Sequence, residues 1–144
     1  MERPRDEGLQ GNERIEEAIA LLQQHPTQEL LAHALTVIRR RMQAGGQLVV
    51  AVEPEPDLAG GMRLGTLTIP EGGVWWYAFT SFEEQMKGAA SVQSTFLVEM
   101  DRLFDQALTV PEIRGIILNP WNRTIQLDKT LLGILKPGAG AAGR

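Results

Sequence analysis

Val74-Trp75-Trp76-Tyr77-Ala78-Phe79-Thr80-Ser81-Phe82-Glu83 is the stretch that decides the fold. Its apolar part is rich in aromatics, which favour extended backbone. In a strand, Trp75, Tyr77 and Phe79 face one side, while Val74, Trp76 and Ala78 face the other. Large side chains on both sides need cover on both sides, so the strand is predicted to lie inside a layered domain. Thr80 and Ser81 end it. Thr80 with Glu83, and Ser81 with Glu84, are two registers of a capping box opening a short helix that Gly88 ends.

Moving toward the N-terminus, Pro70-Glu71-Gly72-Gly73 is a turn. Leu64 to Ile69 reads as a strand, with Leu67 and Ile69 inward and Thr66 and Thr68 outward. Leu48-Val49-Val50-Ala51-Val52 is a continuous apolar run, the mark of a central strand. Between them, Glu53-Pro54-Glu55-Pro56-Asp57 is an extended, solvated connector, ended by Gly60-Gly61. Residues 47–80 therefore read as a three-strand meander. Two amphipathic helices precede it. Asn12 is expected to cap the first, which carries Ile15, Ala18, Ile19 and Leu22 as one stripe. Thr27 caps the second, with Leu31, Leu35, Ile38 and Met42 on one face, and Gly45-Gly46 ends it.

Toward the C-terminus, Ser91 to Thr95 reads as a short strand and Leu97 to Leu108 as a helix with Leu97, Met100, Phe104 and Leu108 inward. Arg114 to Leu118 is an apolar strand, and Thr124 to Leu127 a short one. The turn between them is Asn119-Pro120-Trp121-Asn122-Arg123, where Pro120 is expected to hold Asn119 extended. Asp128 caps a final helix, with Leu127 stapled onto Leu132. The fold class is α/β (α+β): a single domain with a mixed five- to six-stranded sheet, flanked by helices and an N-terminal helix pair. Residues 1–11 read as a disordered arm, 12–136 as the domain, and 137–144 as a flexible tail. Within the domain, 12–44 is the helix pair and 47–136 the sheet with its helices.

At 144 residues the chain is long enough for one real core. It has no cysteine, which removes disulfides, thiolate metal sites and cysteine nucleophiles. Its two histidines, His25 and His33, fall on different predicted elements and make no metal pair. A net charge of −4 argues against nucleic acid. The one basic run, Arg39-Arg40-Arg41, matches the negative end of its helix dipole. The charged N-terminus is no signal peptide, and no apolar stretch approaches a membrane span. A cytoplasmic location is expected.

No nucleophile elbow, Walker motif or dinucleotide fingerprint occurs. Asp101 and Asp105 lie one turn apart, a weak basis for a hydrolase against the simpler reading of a solvated helix face. The recognition-capable residues are Trp75 on the aromatic strand and the Asn119–Arg123 turn. Core packing of the indoles and a plain tight turn are the alternatives. If the strands ending at Phe79 and Leu118 are parallel neighbours, Thr80, Ser81 and Asn119 meet at their carboxyl ends. Ser81 would then open a helix whose N–H groups attract anions, with Trp121 and Arg123 completing the site.

Trp76-Tyr77-Ala78-Phe79-Thr80-Ser81-Phe82-Glu83, then Gly115-Ile116-Ile117-Leu118-Asn119-Pro120, then a short strand and a closing helix, resemble the N-terminal domain of the SseB family, named for enhanced serine sensitivity. That family shows a strand ending in Phe-Thr-Ser before a small helix, and later an apolar strand ending in Asn-Pro. The helix pair at 12–43 resembles the opening of such proteins, so the likeness covers roughly residues 12–136. Residues 89–96 depart from the family's strongly apolar strand. Larger members add a C-terminal domain, for which no room is seen after Lys136. No molecular activity is established for the family, so the resemblance implies no catalytic residue. The expectation is a non-enzymatic protein-interaction or regulatory module, without cofactor or metal, that binds a protein partner or itself. The alternative is a small-molecule binding or sensing domain, anionic metabolites included, using the strand-end crevice near Ser81 and Asn119.

Overall fold

The computed structural model describes residues 8–54, 62–87 and 94–136. Helices α1 (Glu13–Gln24) and α2 (Gln28–Gln43) open the chain. Strands β1 (Gln47–Pro54), β2 (Met62–Leu64), β3 (Thr66–Ile69) and β4 (Gly73–Ala78) follow. Then come α3 (Phe82–Met86), β5 (Ser94–Glu99), α4 (Met100–Thr109), β6 (Gly115–Leu118), β7 (Ile125–Asp128) and α5 (Lys129–Leu135). The mixed α/β class holds. The expected single sheet of five or six strands does not: among the described residues seven strands form two sheets, ordered β2-β1-β5 and β3-β4-β6-β7.

The split falls at Gly65. The chain from Met62 to Ile69 pairs first with β1 and then, past Gly65, with β4. The Tyr77 side chain stands so close to Gly65 that a Cβ there would meet its hydroxyl at 2.7 Å. Glycine is what lets the strand bend past that ring. The two sheets remain stitched where Val49 and Phe79 exchange backbone hydrogen bonds of 2.9 and 2.8 Å.

Helices α1, α2, α4 and α5 bury one face of this surface, against Leu48, Val50, Ala78, Ile116, Leu118 and their neighbours. The opposite face holds a second core of Val49, Ala51, Trp75, Tyr77, Phe79 and Ile117. The alternation read from the aromatic strand therefore assigns its side chains correctly, and both faces are apolar. Trp75 is buried, and its Nε1–H donates to the Gly72 carbonyl at 2.9 Å.

Three boundaries differ from the sequence reading. Residues 8–11, placed in the disordered arm, are ordered: Leu9 packs on the second core, and the Gly8 carbonyl accepts from Arg41 at 3.1 Å. Residues 1–7 and the tail 137–144 lie outside the described residues, as does most of the proline-rich connector. The strand read at 91–95 is β5, Ser94–Glu99, so Leu97 is extended and the helix starts at Met100. Six consecutive pairings with β1, apolar from Leu48 to Val52, outweigh the helical spacing of Leu97 and Met100. The caps at Thr27, Ser81 and Asp128 form, accepting from the N–H groups of Leu30, Glu84 and Leu131. The Asn12 cap does not: its side chain makes no capping bond and points elsewhere.

Candidate functional site

Strands β4 and β6 are parallel, with Trp76, Tyr77 and Ala78 opposite Ile116, Ile117 and Leu118. Each continues past its end into one of the sequence-selected motifs. Thr80 and Asn119 therefore meet at the carboxyl ends of two central strands, as the topological argument anticipates.

Their contact is closed. Asn119 Oδ1 accepts from the Thr80 N–H at 2.9 Å, and Asn119 Nδ2 donates to Thr80 Oγ1 at 3.0 Å. The Thr80 hydroxyl proton goes to Glu16 Oε2 at 2.5 Å. The Thr80 carbonyl accepts from Asn12 Nδ2 at 3.0 Å, and the same amide reaches the Gln47 carbonyl at 2.8 Å. Asn12 Oδ1 in turn accepts from Arg41 Nε at 3.0 Å. Thr80 and Asn119 have no exposed surface. Their polar groups are satisfied by each other and by the first helix, which is what burial of such groups requires.

The turn after β6 is held from several sides. Asn119 takes φ of 54° and Arg123 φ of 47°, both left-handed. Pro120 was expected to keep Asn119 extended. Asparagine tolerates the left-handed region, and here its side chain is fixed by Thr80, so the tertiary contact overrides the proline preference. The Asn119 carbonyl accepts from Thr124 Oγ1 at 2.5 Å and from the Asn122 N–H at 3.2 Å. Asn122 Nδ2 donates to Glu84 Oε2 at 3.2 Å, and Glu84, itself buried, also pairs with Lys87 at 3.1 Å. Arg123 stands 3.8 Å from Glu16 Oε1.

This scaffold presents Trp121. Its ring lies 6.4 Å from Tyr77 and 6.1 Å from Phe79, centroid to centroid, yet 41% of the residue is exposed. Of the residues singled out from sequence, Thr80, Asn119, Trp121 and Arg123 are thus assembled around one turn. Trp75 is not among them; it belongs to the buried core. Ser81 borders a shallow depression of about 320 Å³ with Phe82, Glu83, Gln10 and Glu13. Its hydroxyl caps a helix of only five residues whose first turn carries Glu83 and Glu84. Two carboxylates there oppose an anion.

Asn122, a residue of the turn already singled out, joins the network, whereas the parts played in it by Asn12, Glu16 and Glu84 were not anticipated. Asn12 looks like an ordinary cap, and the acids look like solvated helix positions. No local spacing distinguishes them. Asp101 and Asp105 face Lys136: Asp101 pairs with its Nζ, and Asp105 lies 3.1 Å away. Among the described residues, no group of three or more His, Cys, Asp or Glu converges as a metal site. No helix among them is long and apolar enough to cross a membrane.

Comparison of the chain with protein-family models, with curated proteins and with solved structures finds no match.

Proposed function

We propose that this chain is a non-enzymatic, cytoplasmic interaction or regulatory module of SseB-like type, whose contact surface is the turn carrying Trp121 and Arg123. The observation that carries the reading is an exposed indole on a rigid seat. Trp121 rests on Tyr77 and Phe79, while Asn119, Asn122 and Arg123 pin the turn to three other elements. A preorganised tryptophan beside an arginine is the composition of an interface hot spot, because little conformational freedom is lost on binding. Support for the small-molecule alternative is weaker, since Thr80 and Asn119 use their polar groups on one another.

Affinity capture with the wild-type chain and with Trp121→Ala, followed by titration of the captured protein, tests the proposal. A hot-spot residue contributes about 2 kcal/mol or more, roughly thirtyfold in Kd. Loss of that size with an unchanged circular dichroism spectrum is expected. Equal binding by the two chains, or capture of nothing, overturns the assignment.

A further inference from the structure

We infer that the depression lined by Arg14 of α1 and by Arg40 and Arg41 of α2 is a binding site for the phosphate group of a small molecule. It shares no residue with the Trp121 turn, so this inference goes beyond the function proposed above.

The depression measures about 260 Å³ and is lined by Arg14, Val37, Arg40, Arg41 and Ala44. Its described lining thus carries three guanidinium groups and no carboxylate. Like charges repel, and their convergence in a chain of net charge −4 calls for a reason. The helix dipole accounts for Arg40 and Arg41, which stand in the last turn of α2. It does not account for Arg14. That residue lies in the first turn of α1, where the dipole disfavours a cation. Among the described residues, none of the three forms an ion pair. A bound anion supplies the missing counter-charge.

Arg41 is held in place for that role. Its Nε–H donates to Asn12 Oδ1 at 3.0 Å and its Nη2 to the Gly8 carbonyl at 3.1 Å. Its guanidinium also lies against two glycines: a Cβ at Gly11 would stand 3.1 Å from its Cζ, and one at Gly46 3.2 Å from the same atom. A guanidinium has five N–H donors, so those two bonds leave three. A fork fixed in this way meets phosphate oxygens with little freedom left to lose. Arg14 and Arg40 are exposed and add charge around the same space. The size of the ligand is bounded by what lies alongside. An adjoining depression of about 490 Å³ shares Arg14, Val37 and Arg40 but adds Glu13 and Glu17. Those carboxylates repel an extended polyanion such as nucleic acid, and leave room for a ligand whose charge sits in one group.

Isothermal titration calorimetry of the full chain with inorganic phosphate and with glucose 6-phosphate, at constant ionic strength, tests the inference. One saturable site is expected. Arg14→Gln and Arg40→Gln should each weaken it about fivefold. Arg102→Gln removes the same charge from an exposed position on α4 and should leave it unchanged. If Arg40→Gln fails to fold, Arg40→Lys keeps the charge and loses the fork, and binding should still weaken. Tighter binding of glucose 6-phosphate than of phosphate supports the site with a phosphorylated metabolite as its ligand; equal binding supports it with the free ion. No saturation by either probe, or Arg14 and Arg40 variants that bind as well as Arg102→Gln, overturns the inference. Trp121→Ala should bind phosphate as the wild type does, so failure here and failure of the proposed function are distinguishable.

Discussion

Asn119 and Thr80, 39 residues apart, bind each other twice at the ends of parallel strands. The asparagine amide accepts the Thr80 N–H and donates to its hydroxyl, and that hydroxyl passes its own proton to Glu16. One buried pair thus ties the two central strands to the first helix. It also holds the start of the turn that displays Trp121.

Replacing Asn119 with alanine leaves the Thr80 N–H without its acceptor and puts a Cβ-bearing residue without a stabilising side chain at φ of 54°. The combined cost is about 2–4 kcal/mol. Asn119→Gly relieves the backbone part and leaves the hydrogen-bond part, so it should be the milder change. Urea denaturation of both variants checks this; a Gly variant no better than Ala would show that backbone strain contributes nothing.

Asn12 is predicted to act as a cross-link and not as a cap. Its Nδ2 bridges the carbonyls of Gln47 and Thr80 while Oδ1 receives Arg41. Asn12→Ala should cost about 2–3 kcal/mol. Serine is as good an N-cap as asparagine, so Asn12→Ser would restore stability if capping were the role. It should instead remain close to the alanine variant in denaturation midpoint.

Lys136 contributes a pH dependence of defined sign. Burial lowers its pKa, but hydrogen bonds and charge from Asp101 and Asp105 outweigh burial, and the pKa is raised above the ordinary 10.5. The protonated lysine therefore favours the folded state. Its contribution is complete below pH 10.5 and is lost as pH climbs through the raised folded value. The stability difference between wild type and Lys136→Met, followed by urea midpoints from neutral to alkaline pH, should be constant below that point and shrink above it. A difference that grows on alkalinisation would contradict the pairing.

Much of the architecture is legible in the residues. The strand at 74–79, its two-sided alternation, the caps at Thr27, Ser81 and Asp128, and the helix pair all follow from patterns a few residues long. The candidate site is legible in part. Thr80, Asn119, Trp121 and Arg123 stand out as unusual residues at predicted strand ends, and the parallel pairing of β4 and β6 brings them to one turn. Leu97 shows where local reading fails: its helical spacing to Met100 is real, but β1 lies beside it and takes it as strand.

Sequence alone determined the periodicities, the turns and the absence of thiol chemistry, because these depend on neighbours along the chain and on composition. Tertiary structure decided the rest: the break at Gly65, the left-handed Asn119, the conversion of Asn12 from cap to bridge, and the recruitment of Glu16. The last two rest on contacts across 64 and 68 residues, Glu16 with Thr80 and Asn12 with Thr80. A buried polar atom takes whatever donor or acceptor the packed fold brings within about 3 Å, and only folding brings these together.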